Sequence, residues 1–412
     1  MGQGRRDLIS CASVLRVGAL FAFLVTAGGA ARAQAPEPAT RAAAIEQAEA
    51  EKSQMLHPQV PSPAEQVMGK AEEILTSTEN NWHPFFESAL PEGGFPFGSG
   101  FARHVSSYNT IDLRGSYTIK GYARAEAEFT APRLFHRRGS LSVLGGWREA
   151  TQVAFYGLGT TTPNQHRTNY DFQQPYASLR LTVRPDRRSV LLEGGFELTQ
   201  WNQHAGEGTF PSVETLYTPR TLPGLGASVT YLHAQGTAGF DWRTSSGYAR
   251  RGGFYGVTFH QYDDPDHLFG FQQIDYEAIQ HIPIRREAWV LSLHGRASTT
   301  NTSDGQQIPF FMLPSLGNGY TLRGFSSWRF RDRDSLLLQA EWRIMVNRFV
   351  DSAFFFDAGK VTAHKADLDL TGLKSDYGFG VRFHGPSSTP LRVELARSHE
   401  GLTLVFATST AF

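Results

Sequence analysis

The chain has 412 residues, with 39 lysines and arginines against 39 aspartates and glutamates, so no bulk charge points to nucleic acid or another polyanion as a partner. Its 40% hydrophobic and 19% charged content is ordinary for a soluble protein and leaves the class open. The unusual counts are 30 Phe, 14 Tyr and 41 Gly, a mixture that suits lipid-facing strands and their aromatic belts.

Residues 1–35 read as a targeting segment. Arg5 and Arg6 give a positive start, residues 17–26 an apolar run, and Ala31-Arg32-Ala33 a small-residue cleavage site, with a second cut possible after Ala35. The apolar run falls well short of the ~20 residues a spanning helix needs, so a signal peptide is expected rather than an anchor. Cys11 is the only cysteine and lies in this leader, so the processed chain is expected to have no disulfide and no thiol chemistry. No later stretch has the length and apolarity of a transmembrane helix. An exported chain of this kind is either soluble in the periplasm or an outer-membrane barrel.

Residues 36–92 are expected to form a periplasmic helical lead. An Ala/Glu/Gln-rich stretch over 40–56 has good helix formers. A second helix begins at Ser62-Pro63-Ala64-Glu65, which combines a capping serine, proline at the first helical position and glutamate three residues on. Val67, Ala71, Ile74 and Leu75 make one apolar stripe along it.

From about Phe95 the pattern changes to period two, in segments near the ten residues a tilted bilayer-spanning strand requires. Residues 111–120, 122–129, 141–147, 177–184, 190–199, 228–233, 254–262, 274–281 and 289–296 follow it. The C-terminal part is plainer. Leu336, Leu338, Ala340, Trp342 and Ile344 share an apolar face against Ser335, Leu337, Gln339, Glu341 and Arg343. Tyr377, Phe379, Val381 and Phe383 alternate with Asp376, Gly378, Gly380, Arg382 and His384. Leu391, Val393 and Leu395 alternate with Arg392 and Glu394. On the last strand Leu402, Leu404, Phe406 and the terminal Phe412 are read as one outward face, with Phe412 as a C-terminal barrel signal. The total comes to roughly sixteen strands over residues 93–412, assuming a hairpin turn near Gly236 and a strand near Phe95. Inward charges such as Arg124 with Glu126 and Glu128, and the histidines His260, His281, His294 and His384, are expected to line a hydrated lumen. A soluble β-sandwich also alternates. The export signal, strand lengths, long Gly/Pro/Asn/Asp-rich connections alternating with tight ones, and the final phenylalanine favour an all-β transmembrane antiparallel barrel instead.

One segment is more specific. Pro314-Ser315-Leu316-Gly317-Asn318-Gly319-Tyr320-Thr321-Leu322-Arg323-Gly324-Phe325 leads to the strand holding Glu341 and Arg343, and then to Phe355-Phe356-Asp357-Ala358-Gly359. The order of these pieces resembles the BamA/TamA family of outer-membrane assembly and secretion barrels, also called the bacterial surface antigen family. Phe155-Tyr156-Gly157-Leu158-Gly159 and Leu134-Phe135 fit it as well. The resemblance implies that the Leu322, Arg323, Gly324 and Phe325 loop folds back into the lumen. It further implies that Arg323 meets Asp357 on the strand motif Phe355, Asp357, Gly359, with Glu341 and Arg343 as further lumen partners. The family's full-length members carry periplasmic polypeptide-transport domains, whereas the space before Phe95 is read here as two helices, a short-armed form.

The functions expected are therefore protein or lipid assembly or translocation at the outer membrane through a loop-gated lumen, with a diffusion pore or structural barrel and a barrel-embedded hydrolase as alternatives. Outer-membrane lipid, lipopolysaccharide and the outer-membrane assembly machinery are the partners that follow, with polypeptide or lipid as substrate. No His-Glu-x-x-His pair, Gly-x-Ser-x-Gly elbow or phosphate loop is present, so the chain is expected to be no enzyme and to need no metal or cofactor.

Overall fold

The computed structural model describes Thr40, Ile45, Glu46, Glu49, Lys52, residues 81–186 and residues 189–412. The chain divides into a unit Met1–Glu65 and a unit Gln66–Phe412. In the first, Ile45, Glu46, Glu49 and Lys52 are helical, within the first expected helix; the leader and the second expected helix lie outside the described residues.

The second unit is one antiparallel sheet of sixteen strands whose order follows the sequence. It begins with β1 (Trp82–Pro84), β2 (Pro96–His104), β3 (Thr110–Thr118), β4 (Ala123–Leu134), β5 (Gly139–Phe155) and β6 (Thr168–Val183). It continues with β7 (Val190–Ala205), β8 (Ser228–Asp241), β9 (Gly252–Asp263), β10 (Phe271–Pro283) and β11 (Trp289–Asn301). After a two-stranded ribbon, β12 (Ser315–Leu316) with β13 (Phe330–Arg331), come β14 (Asp334–Asn347), β15 (Val350–Thr362), β16 (Lys374–Phe383), β17 (Leu391–Ser398) and β18 (Gly401–Ala407).

Alternation explains which way each strand faces. On β14, Leu338 and Trp342 are exposed while Leu337, Gln339, Glu341 and Arg343 are buried. On β15, Phe354 and Phe356 are exposed, whereas Phe355 and Asp357 are buried. Across neighbouring strands the outward aromatics touch, as Trp289 and Trp342 do with ring centres 5.7 Å apart. Apolar outside and charged inside is the inverse of a soluble sandwich and is what a barrel in lipid requires. The sheet curls until the loop after β5 meets β15. Thr160, after β5, donates to the Val361 carbonyl on β15 and accepts from the Val361 amide, at 2.6 and 3.1 Å.

The longest connections, among them those between β7 and β8 and between β11 and β14, gather at one end, and the other end has mostly short turns. At the long-loop end, Phe155, Tyr170, Phe172, Val213, Leu222, Phe310 and their neighbours form an apolar core above the lumen. A smaller core, Leu316, Leu322, Phe325 and Phe330 against Leu337 and Val361, holds the loop between β11 and β14 to the wall.

Three expectations change. Gly236 makes no turn: it lies within β8, opposite Gly194, and faces outward into open space, so the signal was a missing side chain on a wall and not a reversal of the chain. The sheet begins with β1, inside the stretch 36–92 assigned to the lead, and this short strand helps bring the total to sixteen. Phe412 leaves the face that Leu402, Leu404 and Phe406 expose to lipid. The ladder ends at Ala407, the Ser409 carbonyl accepts from Arg392 Nε at 2.6 Å, and the tail turns inward. The Phe412 ring then sits beside His294 and His281, at 5.0 and 6.3 Å.

Candidate functional site

The loop between β11 and β14 is ordered by its own chemistry. The Asn318 side chain accepts from the Tyr320 and Thr321 amides, and the Phe325 and Phe330 rings meet edge to face at 5.1 Å. Leu322 and Phe325 anchor it in the smaller core, which leaves Arg323 aimed at the wall.

Arg323 is fully buried, with a relative exposure of 0%. It donates from Nε and Nη2 to the two carboxylate oxygens of Asp357, both at 2.7 Å, in the two-pronged geometry a planar guanidinium favours. Nη1 donates to Glu341 and to Glu394, both at 3.0 Å. The guanidinium also lies 3.5 Å from the centre of the Phe355 ring, so one face is covered by aromatic carbon. Gln339 joins loop and wall by donating to the Thr321 carbonyl at 2.8 Å and to Asp357 at 3.1 Å.

The carboxylates are themselves shared. Arg382 on β16 donates to Glu341 and, at 2.5 Å, to Glu394. Arg392 on β17 donates to Glu394 at 2.5 Å and to the loop carbonyl of Gly319 at 2.9 Å. Arg323 from the loop and Arg382 and Arg392 from the wall thus share three acids on β14, β15 and β17, and taking any one away leaves buried charge uncompensated. Arg343 stands at the edge of the group, 3.9 Å from Glu341, and spends its hydrogen bonds on Ser292 and the Ala249 carbonyl.

Two glycines are fixed by close approach. A Cβ on Gly324 would lie 2.5 Å from Asp376 Cβ, and one on Gly359 would lie 2.7 Å from the Leu336 carbonyl and 2.9 Å from Leu316. The Gly324 carbonyl is held by Ser398 Oγ at 2.7 Å. Further along, Arg329 donates to Glu400 and to the Thr162 carbonyl, and Arg331 to Tyr170 and the Phe310 carbonyl, tying the loop to the apolar core. Burial raises the Asp332 carboxyl above its ordinary range, opposed by the Arg333 amide donating to it at 2.8 Å.

The structure therefore brings Leu322, Arg323, Gly324, Phe325, Glu341, Phe355, Asp357 and Gly359 together, keeps Arg343 at the margin, and places Phe412 elsewhere. Glu394, Arg382 and Arg392 were missed as members. Their signal was their place on the polar side of two clear alternations, at a height that sequence does not give. The lumen histidines are hydrogen-bonded: His294 to Gln339 and Glu277, His281 to Ser292, His260 to His233, and His384 to Tyr248. Among the described residues, no group of three or more His, Cys, Asp or Glu side chains is placed to hold a metal ion.

Residues 97–401 match the sequence profile of the Omp85 superfamily domain. No curated protein sequence matches the chain. Among solved structures the chain is similar to BamA from Haemophilus ducreyi lacking POTRA domains 1–3, with TM-score 0.56 and 14% identity over 80% of this chain and 70% of that one. It is also similar to CdiB from Escherichia coli, with TM-score 0.51 and 12% identity over 78% of this chain and 58% of that one. At these identities the two structures speak for the fold.

Proposed function

The chain belongs to the Omp85 superfamily, and from that premise we propose that it assembles or translocates polypeptide or lipid at the outer membrane, with the Leu322–Phe325 loop as the element that occupies its lumen. The observation that carries this reading is Arg323, wholly buried and bonded to acids on β14, β15 and β17. A barrel that served only as a wall would have no use for a charged loop held so expensively inside it. A diffusion pore is less well supported, because the docked loop takes up lumen space beside four strands. In this reading the chain is not an enzyme; its lumen histidines serve hydrogen bonding and the hydration of the wall. Outer-membrane lipid, lipopolysaccharide and the assembly machinery are its expected surroundings, with the residues before β1 on the periplasmic side.

The test is electrical and chemical. In planar bilayers the full chain should conduct poorly, and a variant lacking residues 314–334 should conduct steadily. Photo-crosslinkers placed at Tyr320 and Ser326 in cells should capture polypeptide or lipid. Steady conductance by the full chain, with no captured material, would replace this reading by the pore.

A further inference from the structure

The two ends of the barrel differ in charge far more than the balanced totals of the chain suggest. The seven connections at the short-turn end, between β2 and β3, β4 and β5, β6 and β7, β8 and β9, β10 and β11, β14 and β15, and β16 and β17, hold eleven arginines and two acidic residues. The eight at the other end hold eight lysines and arginines against eleven acids. Some short-turn arginines have partners within the fold: Arg250 with Asp351, Arg243 with Asp241 and Arg251 with Glu287. Arg137 and Arg138 in the β4–β5 turn, and Arg285 and Arg286 in the β10–β11 turn, are exposed and have no carboxylate partner among the described residues.

Their setting is that of a membrane interface. Arg133, beside the β4–β5 turn, lies 3.7 Å from the centre of the Tyr108 ring, and Arg285 lies 5.7 Å from that of Trp289. Exposed Phe135 and Ile284 flank the same arginines. An aromatic body in the acyl boundary with a guanidinium reaching past it is how side chains settle at headgroup level. The two turns are tight: Phe135, His136 and Arg137 in one, and Arg286 and Glu287 in the other, all have positive φ, so each short reversal carries its arginines at the tip of the rim.

We propose that the short-turn rim is a binding surface for anionic phosphate headgroups of the phospholipid leaflet it faces, with Arg137, Arg138, Arg285 and Arg286 as its contacts. A guanidinium fork matches a phosphate in two-pronged fashion, and the rim presents such forks on separate turns around the barrel. This inference rests on the barrel lying in a bilayer and not on what the lumen moves, so either reading can fail without the other.

The full chain is reconstituted in nanodiscs of equal parts phosphatidylcholine and phosphatidylglycerol, transferred to detergent, and the retained lipids are weighed by mass spectrometry. Phosphatidylglycerol should be retained over phosphatidylcholine, less so at high salt. In the variant R137Q/R138Q/R285Q/R286Q the enrichment should fall about fivefold or more, the scale set by one basic residue at an anionic surface. K120Q/K365Q, at the other end, should leave it unchanged. A band that shifts on boiling shows that each variant is folded. Equal retention of the two lipids by the full chain, or enrichment that survives the four substitutions, overturns the proposal. So does a polyglutamate peptide that binds the same arginines in detergent while the lipids show no preference, which would assign the rim to an acidic polypeptide.

Discussion

Arg323 carries the most consequence per atom in this molecule. It meets Asp357 at two points and Glu341 and Glu394 at one each, while Phe355 covers its plane. Arg323→Ala leaves Asp357 with no arginine and Glu341 and Glu394 dependent on Arg382 and Arg392 alone, and Asp357→Ala leaves a guanidinium missing its fork. Removing one member of a buried pair commonly costs ~3–5 kcal/mol, against ~0–1 for a solvated one. Each single change should therefore lower the thermal midpoint of the barrel and expose residues 314–334 to protease. Arg323→Lys keeps the charge but not the fork or the ring contact, and should fall between wild type and alanine. Reversing both charges should restore part of the protection that either reversal alone removes. Singles that cost under about 0.5 kcal/mol and leave the loop equally resistant would mean the lumen is wet there and the contact idle.

The loop as an element depends on how closely it lies against β16. Gly324→Ala should undock it, since the new methyl would meet Asp376 Cβ at 2.5 Å, whereas Asp376→Gly in the same chain should readmit it. Limited proteolysis reads both, and a Gly324→Ala loop as resistant as wild type would show that the wall yields. The strands themselves were legible because lipid outside and charge inside stamp a period of two on β14 to β17. What sequence could not show follows from the same physics. Gly236 has no side chain to declare a face, so a strand interior read as a turn. β1 has only three residues, too few for a period to register. Glu394 lies 71 residues from Arg323, and only the curl of the sheet brings them to one height. Phe412 carried the right chemistry for an interface, but Arg392 holds the Ser409 carbonyl and the tail goes to the histidines instead.

At the scale of the whole molecule, the strands of the large sheet from β2 to β17 each pair with a neighbour on both sides, and so extensive a ladder should resist detergent until boiled, so the processed chain is expected to run as a heat-modifiable band from outer-membrane fractions. Identical mobility before and after boiling would speak against a barrel. Deleting residues 401–412 should reduce the yield of that folded band far more than deleting 41–52, because a lost strand leaves β17 with unpaired backbone groups in lipid. The arginine cluster adds a statement about time. Its bonds join residues 18, 34 and 71 positions apart, and the loop reaches still further back, to Thr162, 167 positions away from Arg329. None of the three acids can receive Arg323 until its own strand is in the sheet, and Glu394 is on the last strand but one. The loop would therefore dock late, after nearly all the wall is built, and a barrel halted before β17 would hold an arginine with its partners incomplete. Docking then serves as a report that the sheet is finished, written in the order in which distant parts of the chain are able to meet.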